Sequence, residues 1–139
     1  MIKRIDHIAV VVADLDGGLG FWHDTLGLEL TDVESVPEQE SDVAFLPAGQ
    51  SEVELVKPTT TTSGIARFLA KRGPGIHHIC FEVDDIVETL ASFKARGVRL
   101  IEETPRRGAD GKQYAFIHPE STGGVLIELY ELASAQTSA

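Results

Sequence analysis

Apolar and polar positions along the chain switch between two periods, and they do so twice. Residues 7–12 (HIAVVV) and 78–83 (HICFEV) are apolar runs rich in β-branched and aromatic side chains, which predicts strands ending at Val12 and Val83. An aspartate follows each, Asp14 or Asp85, whose carboxylate suits the unpaired N–H groups at a helix start. The period then lengthens to that of a helix. Leu15, Leu19, Trp22 and Leu26 form one apolar stripe, and Ile86, Leu90 and Phe93, with Val87 beside them, form the other. Gly27 and Gly97 close these helices. Strands are predicted after each glycine, at Leu28-Glu29-Leu30 and Val98-Arg99-Leu100-Ile101. Further strands follow at residues 43–48 (VAFLPA) and 114–119 (YAFIHP), and the last at Val53-Glu54-Leu55 and Ile127-Glu128-Leu129. A linker from Thr59 to Thr62 and a helix around Ile65 to Lys71 join the halves.

The halves are therefore copies. His7 and His78 are 71 positions apart and Glu54 and Glu128 are 74 apart, so three residues of loop are inserted between. Each half reads β-α-β-β-β. The expected fold is α+β: two tandem βαβββ modules, about residues 1–58 and 74–132, with a helical connector at 59–73, in one domain spanning 1–132. A small, polar stretch at 133–139 reads as a flexible tail. One helix covers one face of such a sheet, so the modules must pair their sheets around a shared concavity, the expected metal-binding cleft.

Composition narrows the function classes. With 42% hydrophobic and 24% charged residues, 139 residues fit one soluble globular domain. A net charge of −10 argues against wrapping nucleic-acid phosphates, whose affinity comes from clustered Lys and Arg. No apolar run approaches the roughly 20 residues of a membrane span. The opening Met1-Ile2-Lys3-Arg4-Ile5-Asp6 has neither the apolar core nor the cleavage site of a signal peptide, so a cytoplasmic location is expected. Cys80, the single cysteine, excludes an intramolecular disulfide and a thiolate zinc cluster and reads as a small buried thiol. Arg96, Arg99, Arg106, Arg107 and Lys112 gather locally, as a contact surface for a small anion or as ordinary solvated charge.

Against this background Glu54 and Glu128 stand out, each between aliphatic neighbours in an otherwise apolar strand. A carboxylate repeated at the equivalent place, together with a repeated histidine, points to ligation. Buried carboxylates require a cation or hydrogen-bond donors, and one metal satisfies His7, Glu54, His78 and Glu128 at once. Two imidazoles and two carboxylates suit Zn2+, Co2+, Ni2+, Mn2+ or Fe2+. Six-coordination would leave two positions for substrate oxygens, a catalytic arrangement. By strand alternation His77 points away from His78 and reads as structural. His23 reads as solvent-exposed on the first helix, and His118, ending a strand beside a turn, is a weaker ligand candidate.

At these residues the chain resembles the vicinal oxygen chelate superfamily, a glyoxalase-like group, and within it the methylmalonyl-CoA epimerase family. The resemblance spans residues 3–131 and rests on Ile5-Asp6-His7-Ile8-Ala9, Val36-Pro37-Glu38-Gln39, 66–73 (ARFLAKRG), 75–85 (GIHHICFEVDD) and 118–129 (HPESTGGVLIEL). It implies interconversion of the two epimers of an acyl-CoA by proton transfer at C2 through a metal-stabilised enolate. It also implies one divalent ion, Co2+ favoured and Zn2+, Mn2+ or Ni2+ as substitutes, on His7, His78 and Glu128, with Glu54 where relatives have Gln or Glu. Homodimerisation is common in the family; neither nucleic acid nor membrane is an expected partner. Val43 stands where some relatives carry a basic Glu, so Glu54 and Glu128 are assigned both ligand and proton-transfer roles. Other departures are Trp22 for Tyr, Glu40 for Gly and Asp110 for His, the last in the loop from Arg106 to Lys112, where by charge Arg106, Arg107 or Lys112 could meet CoA phosphates, a flexible surface loop being the alternative. The rival readings are a glyoxalase-type isomerase, an extradiol-type dioxygenase and a metal-free binding module.

Overall fold

In the computed structural model, which describes residues 1–108 and 110–132, Asp14 and Asp85 both act as helix caps. The Asp14 carboxylate accepts from Gly17 N at 2.8 Å and that of Asp85 from Glu88 N at 3.0 Å. The strand–helix punctuation read from the sequence is therefore made of real hydrogen bonds. The element order is β1 (Ile2–Val11), α1 (Leu15–Leu19), β2 (Asp32–Val36), β3 (Ser41–Ala48), β4 (Ser51–Pro58), α2 (Gly64–Arg72), β5 (Gly75–Val83), α3 (Ile86–Ala95), β6 (Arg106–Arg107), β7 (Gln113–Ile117) and β8 (Leu126–Glu131). This is the expected mixed α+β order, βαβββ written twice. The tail expected at 133–139 lies outside the described residues. Among those described, no helix is long and apolar enough to cross a membrane.

The described residues divide into two compact units, His7–His77 and Met1–Asp6 with those from His78 to Leu132, so β1 contributes to both. In the first unit the strand order is β2-β3-β4-β1, with β1 and β4 parallel and the remaining pairs antiparallel. Alternation sorts its side chains onto two faces. Val10, Ala44, Leu46 and Leu55 are buried on one, against Leu15, Leu19 and Trp22. Ala9, Val43 and Val56 lie on the other, with Phe45 and Ile65 against them.

Two expectations are corrected here. Only Leu15–Leu19 are α-helical; Gly20–Thr25 widen into π turns, with Leu26 N donating to Phe21 O at 2.7 Å. The wider turn carries Leu26 out of the apolar stripe, leaving it 52% exposed. At Gly18 the helix touches the sheet: an added Cβ would meet Leu55 Cδ1 at 3.1 Å and Val12 Cγ1 at 3.2 Å. The strand predicted at Leu28-Glu29-Leu30 is irregular. Both leucines pack against the core, which produces the alternation, but ladder bonding begins only where Thr31 N donates to Phe45 O at 3.0 Å.

In the second unit the order is β1-β5-β8-β7-β6, with β5 and β8 parallel. Val83, Ile86, Leu90, Ala115, Ile117 and Leu129 form its core, and Glu131 Oε1 accepts from Ile86 N at 2.8 Å to complete the start of α3. The strand predicted at Val98-Arg99-Leu100-Ile101 reduces to one bridge, Leu100 with Ile117. Its continuation is pre-empted because Glu102 Oε1 accepts the Phe116 N–H at 2.7 Å, a bond that a lengthening ladder would need. Pairing with β7 resumes at Arg106–Arg107.

A buried ion network braces this unit. Glu82, only 4% exposed, accepts from Arg4 Nε at 2.8 Å and lies 3.4 Å from Lys3 Nζ, while Arg4 Nη2 donates to Asp6 at 2.9 Å. Removing Arg4 leaves the Glu82 carboxylate with the exposed Lys3. Arg4→Ala is expected to lower the unfolding free energy by about 3 kcal/mol, read from urea denaturation.

Candidate active site

Parallel pairing of the first and last strand of each module sets the geometry of the candidate ligands. In the first unit Ala9 of β1 lies opposite Glu54 of β4, so His7, two residues earlier, shares the face of Glu54. His7 Nδ1 is 3.4 Å from Glu54 Oε2, with the side chains 11% and 18% exposed. In the second unit Cys80 of β5 lies opposite Glu128 of β8, and His78, again two residues earlier, shares that face. His78 Nε2 is 3.0 Å from Glu128 Oε1, with the side chains 13% and 15% exposed. The repeat read from the sequence thus persists in strand register.

A third member of each row comes from the strands at 43–48 and 114–119. Phe45 lies opposite Glu54 and Phe116 opposite Glu128, so the repeated Ala-Phe-aliphatic segment places an aromatic ring beside each carboxylate. Phe116 meets the His78 ring edge-on, with centroids 5.5 Å apart. Each unit therefore holds an imidazole nitrogen and a carboxylate oxygen largely withdrawn from water, with a phenylalanine opposite the carboxylate in strand register. That donor set fits a first-row divalent ion, since imidazole nitrogens and carboxylate oxygens both bind such ions.

The remaining candidates separate clearly. Val43 is 3% exposed and lies opposite Val56 and Glu34, offering no proton acceptor of its own. Cys80 is buried, as expected. His77 packs edge-on against Phe68 of α2, with centroids 5.0 Å apart, in keeping with a structural role. His23 is less exposed than expected, its Nδ1 lying 2.6 Å from Leu28 O, where it ties the π turn to the following segment. His118 Nδ1 accepts from Glu120 N at 3.0 Å and caps the short 3-10 turn Pro119–Ser121.

The basic residues that gather in sequence divide in space. Arg99 pairs with Glu120 at 3.1 Å, whereas Arg106 and Lys112 stand over aromatic rings. The Arg106 guanidinium is 5.7 Å from the Tyr114 centroid and Lys112 Nζ is 4.9 Å from that of Tyr130. These tyrosines continue the face that carries Glu128, in a row running Glu82, Tyr130, Tyr114, Arg106. Burial, then the carboxylates of Asp6 and Glu82, push the Tyr130 phenol well above its ordinary pKa, so it stays protonated and donates to Asp6. The sequence displayed these residues singly, and only strand register makes them a row.

Comparison with known proteins adds independent findings. Residues 6–116 match the model of the Glyoxalase/Bleomycin resistance protein/Dioxygenase superfamily. An uncharacterized protein of Bacillus subtilis, YqjC, is 42% identical over 94% of this chain and 93% of its own length. The mitochondrial methylmalonyl-CoA epimerase of Mus musculus is 38% identical over 92% of this chain and 72% of its own. The crystal structure of methylmalonyl-CoA epimerase from Mycobacterium tuberculosis superposes with a TM-score of 0.86 at 39% identity, covering 99% of this chain and 93% of that one.

The two adjacent histidines are expected to behave differently on substitution. His77→Ala should lower the unfolding free energy by about 1 kcal/mol through the lost Phe68 contact, while leaving divalent-ion uptake at the wild-type level by elemental analysis. Loss of the ion in that variant would move His77 into the ligand set.

Proposed function

The chain belongs to the methylmalonyl-CoA epimerase family of the glyoxalase/bleomycin resistance protein/dioxygenase superfamily, and from that premise we propose that it interconverts the (R) and (S) epimers of methylmalonyl-CoA by proton transfer at C2. The observation that carries this reading is the His–Glu pair, repeated at the same strand register with the same aromatic neighbour in both units. We infer that His7, Glu54, His78 and Glu128 together hold one divalent ion. When bound, that ion supplies positive charge against the negative charge that develops on the acyl oxygens as C2 loses its proton.

The chain's own residues do the rest. The C2 hydrogen of the substrate lies between a thioester and a carboxylate, which makes it acidic enough for a carboxylate base. Epimerisation needs one group to take that proton and another to return one on the opposite face, with no net change in oxidation state. Glu54 and Glu128 are assigned these roles as well as ligation, since the buried Val43 cannot accept a proton. Phe45 and Phe116 stand opposite the two carboxylates in strand register. Cobalt as the resident ion, a homodimeric assembly and a cytoplasmic location belong to the same proposal and rest on the family resemblance and the sequence.

Solvent exchange tests reaction class and substrate together. The cobalt-reconstituted protein in D2O is expected to exchange the C2 hydrogen of methylmalonyl-CoA, and chelation of the ion should abolish the exchange. Absence of exchange in the reconstituted sample, or turnover of methylglyoxal with glutathione in its place, would overturn the reading. The base assignment has its own check: Glu54→Gln should retain the ion and cut exchange at least about tenfold. Unchanged exchange would remove Glu54 as a base.

A further inference from the structure

The row of tyrosines and cations beside Glu128 plays no part in the proton transfer described above. Tyr130 follows Glu128 by two residues on β8 and shares its face, which sets the two roughly 7 Å apart along the strand. The Tyr130 ring is buried, and its hydroxyl is held by Asp6, which Arg4 in turn anchors at 2.9 Å. The ring is therefore a fixed platform. Lys112 Nζ stands 4.9 Å from its centroid.

The backbone that delivers Lys112 is fixed too. Gly108 N donates to Lys112 O at 2.8 Å and Lys112 N donates to Asp110 Oδ1 at 3.2 Å. What holds the ammonium group itself is weaker. Its carboxylate partner, Asp110 Oδ2, lies at 3.4 Å in an exposed pair whose side chains are 43% and 60% accessible. Such pairs contribute little in water, so an incoming anion can displace the partner at small cost. Arg106, over Tyr114 in the same row, adds positive charge nearby, and its own partner Glu102 is as far as 3.9 Å. Lys112 and Arg106 thus bring two cations, each beside a loosely held carboxylate, to the row that continues from Glu128.

We propose that Lys112, seated on the Tyr130 ring, binds an anionic oxygen of the acyl-CoA substrate. The proposal rests on the epimerase reading for the identity of that substrate. Two parts of such a thioester carry anionic oxygens, the acyl carboxylate and the CoA phosphates, and both are recognised by an ammonium group through charge-assisted hydrogen bonds.

The test compares wild type, Lys112→Gln and Lys112→Arg in steady-state epimerisation of methylmalonyl-CoA and of the phosphate-free methylmalonyl-pantetheine thioester. With methylmalonyl-CoA, Lys112→Gln is expected to raise KM by about tenfold or more, with a far smaller change in kcat, and Lys112→Arg to recover most of the loss. A penalty that persists with the pantetheine thioester supports the proposal with the acyl carboxylate as the group bound. A penalty seen only with the CoA thioester supports it with a phosphate. An active wild type whose Lys112→Gln variant stays within about twofold in KM for both substrates overturns the proposal alone. A wild-type protein without turnover overturns the epimerase reading and the proposal with it.

Discussion

In both modules the first strand returns to lie parallel beside the last, β1 beside β4 and β5 beside β8, and the chemistry depends on that pairing. Parallel neighbours cannot be joined by a tight turn, so each module must send its chain through a helix and two further strands before closing. The closure brings a histidine from the start of a module against a glutamate from its end. Register decides the outcome. Slipping either pair by one residue would turn the glutamate to the helix-facing side, where Leu55 or Leu129 now sits in the core. The apolar residues flanking Glu54 and Glu128 therefore do more than fill the interior. Burying them on one face is what fixes the carboxylates on the other.

Much of this was legible in one dimension because a repeat compares the chain with itself. Helix caps at Asp14 and Asp85, the two paired ligand candidates and the βαβββ order all follow from segments that match at nearly constant spacing. The misreadings have a common physical origin. Leu28, Leu30, Val98 and Leu100 alternate as strand residues do because they pack against the cores, yet backbone pairing is a separate matter, settled by Thr31 in one module and by the Glu102 carboxylate in the other. Periodicity reports burial and does not report which carbonyl an N–H finds. The π turn after α1 escaped for a related reason, since a stripe at helical spacing looks the same until its last member, Leu26, falls outside it.

Contacts between residues of unlike kind were the least legible. The pairs Lys112 with Tyr130 and Arg106 with Tyr114 have no counterpart in the repeat, and nothing in composition or spacing joins them. They appear only when antiparallel register aligns Tyr114 with both Arg106 and Tyr130. The ion network of Arg4, Asp6 and Glu82 is similar, with one partner at the start of the chain and another in the second module.

The departures from the repeat carry as much meaning as the repeat. Val43 and Tyr114 occupy equivalent places in the Ala-Phe-aliphatic segments, one residue before Ala44 and Ala115, and their surroundings have diverged. In the first unit that place is enclosed by Val56, Ala9 and Ile65, an apolar wall suited to excluding water. In the second it opens a row of phenol, guanidinium and ammonium groups, suited to holding charge. The reaction proposed above, at an acidic carbon of an anionic thioester, has a use for both: a dry surface beside a moving proton and a charged one for an anionic substrate. Two identical modules would supply either property twice and the other not at all. Keeping the His–Glu–Phe row constant while the adjoining row diverges gives one duplicated scaffold two like donor sets beside two unlike surfaces, one apolar and one charged.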